Sequence, residues 1–309
     1  MKHTYRLAVM LIVAAVAVLS CKGDGTSDGK RKSGTTIAGK TVLLVDNTVQ
    51  PIVEDVLAVF HSVYDRANVI QVNKTENELL SALLKDSATV VIMPRLLTDE
   101  ENVHFSKRKI TPKVTPFASD AVAFITNKSA KDTVVNLAEI LKVLKGESSD
   151  KVQKLVFDNA NSSTVQLLLK EAGVNKVAQN NIYSLKTNEE VIKYVHNTPG
   201  AVGIVGVNWL SQPPQSLAET VSDIVVLGVD NVKIDKGTKK YYKPSQSNIA
   251  TGFYPLIRKL YVLNYSGVDD LGTGFANYIG AFEGQRIILK SGLLPVEIPA
   301  REIEVRSKL

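Results

Sequence analysis

The run FDNANSSTVQLLLKEAG, Phe157 to Gly173, places six small residues, Asn159 to Thr164, directly ahead of an apolar-periodic segment. All of them except Ala160 carry a hydrogen-bonding side chain. Asn161, Ser162, Ser163 and Thr164 could each cap a helix, and one cap suffices. The surplus of small donors points to something held at that helix end. A second polar junction, Asp46-Asn47-Thr48, ends the β-branched run Thr41 to Val45 just before another periodic segment. Helix starts present unpaired backbone N–H groups and the positive end of the helix dipole, so they hold anions without cationic side chains. In open α/β sheets, ligands bind beyond the carboxyl ends of the strands, where such junctions converge. A carboxylate suits an anion site only when the ligand brings a proton to donate. Asp120, at the entry to the apolar run Ala121 to Ile125, is such a carboxylate. Taken singly, each feature also has a plain reading as a cap or a turn residue.

The residues argue against catalysis. His61, His104 and His196 are scattered, with no His-x-x-x-His or Glu-x-x-His pair. No Gly-x-Ser-x-Gly elbow or Walker-type loop occurs, and Cys21 is the single cysteine. The expectation is a binding protein without cofactor or metal. His61 fits the exposed face of its helix, and His196 sits in a last turn, where it favours the dipole. Trp209 and Tyr241-Tyr242 are read as packing; Phe275, Tyr278, Ile279 and Phe282 recur at helical spacing and are read as core.

Positioning these residues requires a fold, and the chain has the length for two lobes: 309 residues, 44% hydrophobic and 22% charged. MKHTYR followed by LAVMLIVAAVAV and VLSC reads as a secretory signal, residues 1–20, with a lipoprotein-type cleavage box. Lipidation of Cys21 would anchor the mature chain to a membrane at the periplasmic or outer face of the cell envelope. The apolar run is too short for a comfortable span of about 20 residues. Removing Lys2 and Arg6 lowers the net charge from +6 to +4. Lys30-Arg31-Lys32 and Lys107-Arg108-Lys109 are read as solvated surface; with no basic stripe interleaved with aromatics, nucleic-acid binding is not expected. Residues 21–38, rich in Gly, Ser, Thr and Lys, read as a flexible tether.

Beyond the tether, strands and helices alternate. TVLLV, NVIQV, ATVVIM, SDAVAFITN, KLVF and AVGIVGV read as strands. Helices are expected after Pro51, at Thr75 to Asp86 with Thr75 and Glu78 in capping-box spacing, at LTDEENVHFSKR, at Val134 to Lys145, after the quoted loop, and at Asn188 to His196. Alternation implies parallel-rich sheets flanked by helices, an α/β fold.

From about Gly39 to Pro295 the chain resembles the PstS-like phosphate-binding lipoproteins of ABC importers. Ser119 to Asn127 is similar to that family's crossing strand Asp-Gly-Ile-Ala-Val-Val-Val-Asn. Ser162-Ser163-Thr164 takes the place of its Ser-Gly-Thr phosphate loop, and Gly200 to Gly206 that of its Ala-Ile-Gly-Tyr strand. Tyr254-Pro255-Leu256-Ile257-Arg258-Lys259-Leu260-Tyr261 resembles its Tyr-Pro-Leu-x-Arg-x-Leu-Tyr return strand. Gly284 to Pro295 resembles its Gly-Gln-x-Ile-Ile tail. Five such stretches occur in the family's order.

The resemblance implies a two-lobe type II binding protein with two hinge crossings. Lobe I would comprise residues 39–120 plus 255–309, and lobe II residues 121–254. Phosphate or a related oxyanion would lie between Asn47, Thr48 and Arg95 on one wall and Ser162, Ser163 and Thr164 on the other. Asp120 would accept a proton from hydrogen phosphate, which excludes fully ionised sulfate. ABC permease subunits would be the protein partners of a monomer. Three positions depart from the family pattern: Ser163 replaces the loop glycine, Asp158 stands where an arginine is common, and Pro94 replaces a serine before Arg95. Asp158 and Ser163 favour an alternative, an envelope interaction lipoprotein that keeps the fold but no longer transports a solute.

Overall fold

The computed structural model describes residues 35–300 except Lys236 and Lys239. The signal segment, Cys21 and most of the expected tether lie outside the described residues. Thr35 to Ala38 form a turn in which the Thr35 hydroxyl donates to the Ala38 carbonyl.

Thirteen strands are described: β1 (Gly39–Asp46), β2 (Ala67–Lys74), β3 (Val90–Met93), β4 (Lys113–Asn127), β5 (Val134–Val135), β6 (Lys154–Phe157), β7 (Ile182–Ser184), β8 (Ala201–Gly206), β9 (Ile224–Val226), β10 (Gly228–Asp230), β11 (Tyr241–Tyr242), β12 (Ile257–Asn264) and β13 (Leu294–Pro295). The main sheet runs β2-β1-β3-β12-β4-β8-β6-β7, with β13 and β9 also paired to β4. Parallel pairing joins β1 with β2 and β3, and β6 with β8 and with β7, which is not among the strands expected from the sequence. The crossing strands differ, because β4 and β12 run antiparallel to each other, and so do β12 with β3 and β4 with β8. A chain that leaves one half and later returns enters the sheet in opposite directions, so its two crossings pair antiparallel.

The 15-residue β4 holds the halves together. Its residues from Lys113 to Ala121 pair with β12, and those from Val122 onward pair with β8 and β9. A bulge opposite Leu260 and Tyr261 falls beside Pro116, which has no N–H for the ladder. Tyr254, just before β12, donates its hydroxyl to the Val122 carbonyl at 2.7 Å, and the Val122 N–H donates to the Leu256 carbonyl. The tyrosine of the return motif therefore pins one crossing to the other.

Local chemistry sets the helices. Pro51 lies in the first turn of helix Gln50–Val63, where its missing N–H costs nothing, and Ile52, Val53, Val56, Leu57 and Phe60 are buried. Val59, read as part of that stripe, is 40% exposed. Thr75 with Glu78 and Thr98 with Glu101 form reciprocal capping boxes. Helix Ser163–Ala172 ends on Gly173 at φ 68°, a left-handed cap that glycine adopts without strain.

Two expectations shift. Val134 and Val135 form β5 rather than a helical turn, and the helix there is Leu137–Leu144. β-Branched residues suit a strand edge, and Leu137 N–H is instead capped by Asp230 from β10. Phe275, Tyr278 and Ile279 are core, with Phe60 edge-on to Phe275 at 5.5 Å. Phe282 begins the next helix and is 39% exposed beneath the Arg286 guanidinium. The chain turns at Ala281, which rotates Phe282 off the stripe.

No helix among the described residues is long and apolar enough to cross a membrane.

Candidate functional site

The site forms where β1 and β6 end and the crossing strands β4 and β12 pass beneath them. After β1 the chain makes a short 3-10 turn, Asn47–Val49, in which the Asp46 carboxylate accepts from the Thr48 N–H at 2.9 Å. After β6 the polar loop leads to helix Ser163–Ala172. The Thr48 and Ser163 hydroxyls, 115 residues apart in sequence, lie 2.8 Å from each other.

Arg258 is the centre of this junction. It pairs with Asp120 in the β12–β4 register, so antiparallel pairing alone places a guanidinium beside a carboxylate. Its Nε and Nη2 donate to Asp120 Oδ2 at 3.1 and 2.6 Å. Its Nη1 donates to Thr48 Oγ1 and Ser163 Oγ, both at 2.8 Å. Asp120 is fully buried and Arg258 is 5% exposed. A buried charge survives only when paired and hydrogen-bonded, and this one reaches groups on three other segments.

Asp46 closes the network from the other side. Its Oδ1 also accepts from Thr48 Oγ1 at 2.6 Å and from Ser163 Oγ at 3.0 Å. Burial raises its carboxyl above the ordinary range, outweighing the nearby Arg258 charge and the hydrogen bonds from Thr48 and Ser163. Gly206, the last residue of β8, fits against this cluster. A Cβ there would stand 2.7 Å from Arg258 Nη2, 2.8 Å from the Thr48 carbonyl and 2.9 Å from Asn208 Nδ2. Asn208 donates to that Thr48 carbonyl, and Trp209 Nε1 donates to the Asn47 carbonyl at 3.2 Å.

Of the residues singled out in the sequence, Thr48 and Ser163 meet directly and Asp120 joins them through Arg258. Ser162 and Thr164 are buried beside them, their hydroxyls 3.1 Å apart. Ser162 occupies the N-cap position yet makes no side-chain cap bond, so its hydroxyl is not spent on the helix. Asn159 explains its own presence by accepting from the Asn161 N–H, a local turn. Asn47 is half-buried and meets the opposite wall through its backbone carbonyl. Arg95 is engaged elsewhere: its Nε donates to Glu76 at 2.6 Å, and its Nη groups grip Glu101 at 2.7 and 3.0 Å. Asp46 and Arg258 were missed as site residues. Asp46 stood in a junction read only for its donors, and Arg258 in a strand motif read only for topology.

Several buried oxygens here have no hydrogen-bond partner among the described residues: Asp46 Oδ2, Asp120 Oδ1, Asp158 Oδ1, Asn188 Oδ1 and Asn208 Oδ1. All five are acceptors. A site in this state complements a solute that carries protons. The described residues contain no cluster of three His, Cys, Asp or Glu that could hold a metal ion.

Asp158 is 1% exposed, and Asn188 donates to it at 3.4 Å. Burial pushes its carboxyl up from 3.8 to about 6; hydrogen bonds from Ser162 and the Asn159 N–H oppose the shift, and the Asp46 charge adds to it. A raised acid binds its proton more tightly in the folded chain. Its stabilising contribution is therefore complete below about pH 4 and is lost as pH rises through about 6. Relative to Asp158→Asn, the parent is expected to lose roughly 2–3 kcal/mol across that window. The Asp46 charge is coupled to Asp158, so the difference reports Asp158 together with its influence on Asp46. Urea unfolding at a series of pH values reads this directly, and parallel stability curves would count against it.

Comparison with known proteins places this geometry. The PBP superfamily domain PBP_like_2 matches residues 30–281. The phosphate-binding protein PstS of Borreliella burgdorferi is 23% identical over 266 residues, covering 81% of this chain and 88% of that one. Among solved structures, a candidate phosphate ABC transporter substrate-binding protein with bound phosphate from Clostridium perfringens superposes with a TM-score of 0.68 at 15% identity, covering 84% of this chain and all of that one. An ABC-type phosphate transport receptor from Vibrio cholerae gives 0.61 at 17% identity, over 83% of this chain and all of that one. Two half-sheets joined by antiparallel crossings, with two strand–helix junctions meeting between them, are the fold of type II binding proteins. The chain belongs to the PBP superfamily, as a PstS-like member.

Proposed function

We propose that this protein is an extracytoplasmic solute-binding protein that captures phosphate or a related oxyanion between two lobes and delivers it to an ABC importer. The observation that carries this reading is the Arg258 guanidinium, held at once by Asp120, Thr48 and Ser163 where the two junctions meet. Lobe I comprises residues 39–120 plus 255–309, and lobe II residues 121–254. On entry the oxyanion accepts from the Thr48, Ser162, Ser163 and Thr164 hydroxyls and from backbone N–H groups at the helix start. Arg258 compensates its charge, and the unpartnered oxygen of Asp120 accepts a proton from it. Sulfate, which has no proton to give at neutral pH, leaves that acceptor facing another. Asn47 flanks the same wall, whereas the donors of Arg95 are held by Glu76 and Glu101. The work is capture, with no bond made or broken.

The signal segment and Cys21 support lipid anchoring at the outer face of a membrane, where the protein would work as a monomer with ABC permease subunits as its partners. The relatives' names support phosphate as the solute.

The buried acids Asp46 and Asp158 favour a second reading, an envelope interaction lipoprotein that keeps the fold without transporting a solute. Thermal unfolding of residues 39–309 with and without millimolar phosphate separates the two. A ligand at 100 times its dissociation constant adds about 2.7 kcal/mol of stability. A shift with phosphate but not sulfate supports capture. No shift with phosphate, arsenate or sulfate supports the second reading.

A further inference from the structure

We propose that the Asp46 carboxylate is a built-in competitor of the captured oxyanion, holding the donors such a ligand needs and thereby setting the affinity of the site. This rests on the capture reading above and adds a residue to it.

The geometry is specific. Asp46 Oδ1 accepts three hydrogen bonds, from the Thr48 N–H, the Thr48 hydroxyl and the Ser163 hydroxyl. Capping the 3-10 turn requires only the first. The third comes from a helix start 117 residues away, on the opposite wall. Each hydroxyl has one proton. Arg258 Nη1 donates to the oxygens of Thr48 and Ser163, so both protons are free to point at Asp46. While they do, neither hydroxyl can donate to anything else. The two hydroxyl oxygens stand 2.8 Å apart, too close for a tetrahedral oxyanion to lie between them until they separate.

A carboxylate oxygen offers these donors what a phosphate oxygen offers: negative charge and lone pairs. Two anions cannot share the set, because the like charges repel in a buried site. The charged groups around Asp46 do not relieve this. Arg258 on β12 is the cation, already held by Asp120 on β4. Asp158 after β6 and Glu76 at the start of helix Glu76–Leu84 both face Asp46 as further acids. Asp46 Oδ2 is buried and has no partner, so the carboxylate is anchored through one oxygen only and can be displaced.

The test is phosphate binding by titration calorimetry at one fixed pH for the parent, Asp46→Asn and Asp46→Ala. Hydrogen bonds to a charged group contribute about 1.5–3 kcal/mol, so releasing these donors corresponds to roughly 10- to 100-fold tighter binding in Asp46→Ala. Asp46→Asn, which keeps the shape and a neutral acceptor, should lie between that variant and the parent. Millimolar formate, a small carboxylate, should raise the melting temperature of Asp46→Ala and compete with phosphate there, while leaving the parent unmoved. Folding of both variants is read from cooperative unfolding; if only Asp46→Asn folds, its affinity decides. Parent-like or weaker phosphate binding by the folded variants overturns the proposal and leaves the capture reading intact, as does a formate effect equal in parent and variant. Failure of all three proteins to bind phosphate overturns both. Binding by a variant where the parent shows none supports the proposal in its strongest form.

Discussion

Arg258→Leu is expected to destabilise the chain by about 3–5 kcal/mol and to abolish oxyanion binding. The magnitude follows from what remains behind. Asp120 is fully buried and takes two hydrogen bonds from Arg258 on one oxygen, while its other oxygen has none. Removing the guanidinium leaves a buried carboxylate uncompensated, a larger loss than the net worth of the pair. Thr48 and Ser163 lose the donor that orients them, so the damage spreads from the crossing strands to both strand–helix junctions. Arg258→Lys should recover little, because a single ammonium cannot reproduce a fork serving Asp120 on one side and two hydroxyls on the other. The double variant Arg258→Leu, Asp120→Leu should regain part of the stability but none of the binding. Urea unfolding with phosphate titration checks all three. A loss below about 1 kcal/mol for Arg258→Leu would show that the pair is well solvated in solution.

Gly206→Val is expected to cost about 3 kcal/mol or more and to remove binding along with it. The added Cβ would sit within 3 Å of Arg258 Nη2, the Thr48 carbonyl and Asn208 Nδ2. The first is fixed by Asp120, the second is backbone, and the third is bonded to that backbone. None can yield like the free end of a flexible chain, so the strand itself must shift, at the upper end of overpacking costs. Gly206→Ala should show the same loss in smaller measure. Binding near the parent level in Gly206→Val would mean that β8 can retreat from β12 without consequence for the site.

Much of the architecture is legible in the sequence. Hydrophobic period and caps located most helices, because Thr75–Glu78 boxes and a proline in a first turn are local chemistry. The failures came from contacts and turns that local pattern does not register. Val134-Val135 pairs with β10, a partner about 94 residues on, and no window of sequence contains that contact. Phe282 kept the spacing of its stripe across a chain turn that spacing cannot register. The two polar junctions were legible as donor-rich helix starts, and the motif order of the resemblance brought them to one cleft. The centre of the cleft was harder to see. Arg258 lay within a quoted motif but had no role until the register of β12 against β4 set it opposite Asp120. Arg95, expected on the wall, has its hydrogen bonds taken by Glu76 and Glu101, one of them a capping residue whose second duty the sequence does not display.

By itself, then, the sequence determined the main strands, the capped helices and the two junctions rich in small donors, since these depend on neighbours within a few residues. Only the tertiary structure decided which charges meet there. Three acids and one arginine, drawn from β1, β4, the loop after β6 and β12, become a single electrostatic unit through strand order and register. Those are long-range properties, and the burial they impose raises the carboxyls of Asp46 and Asp158.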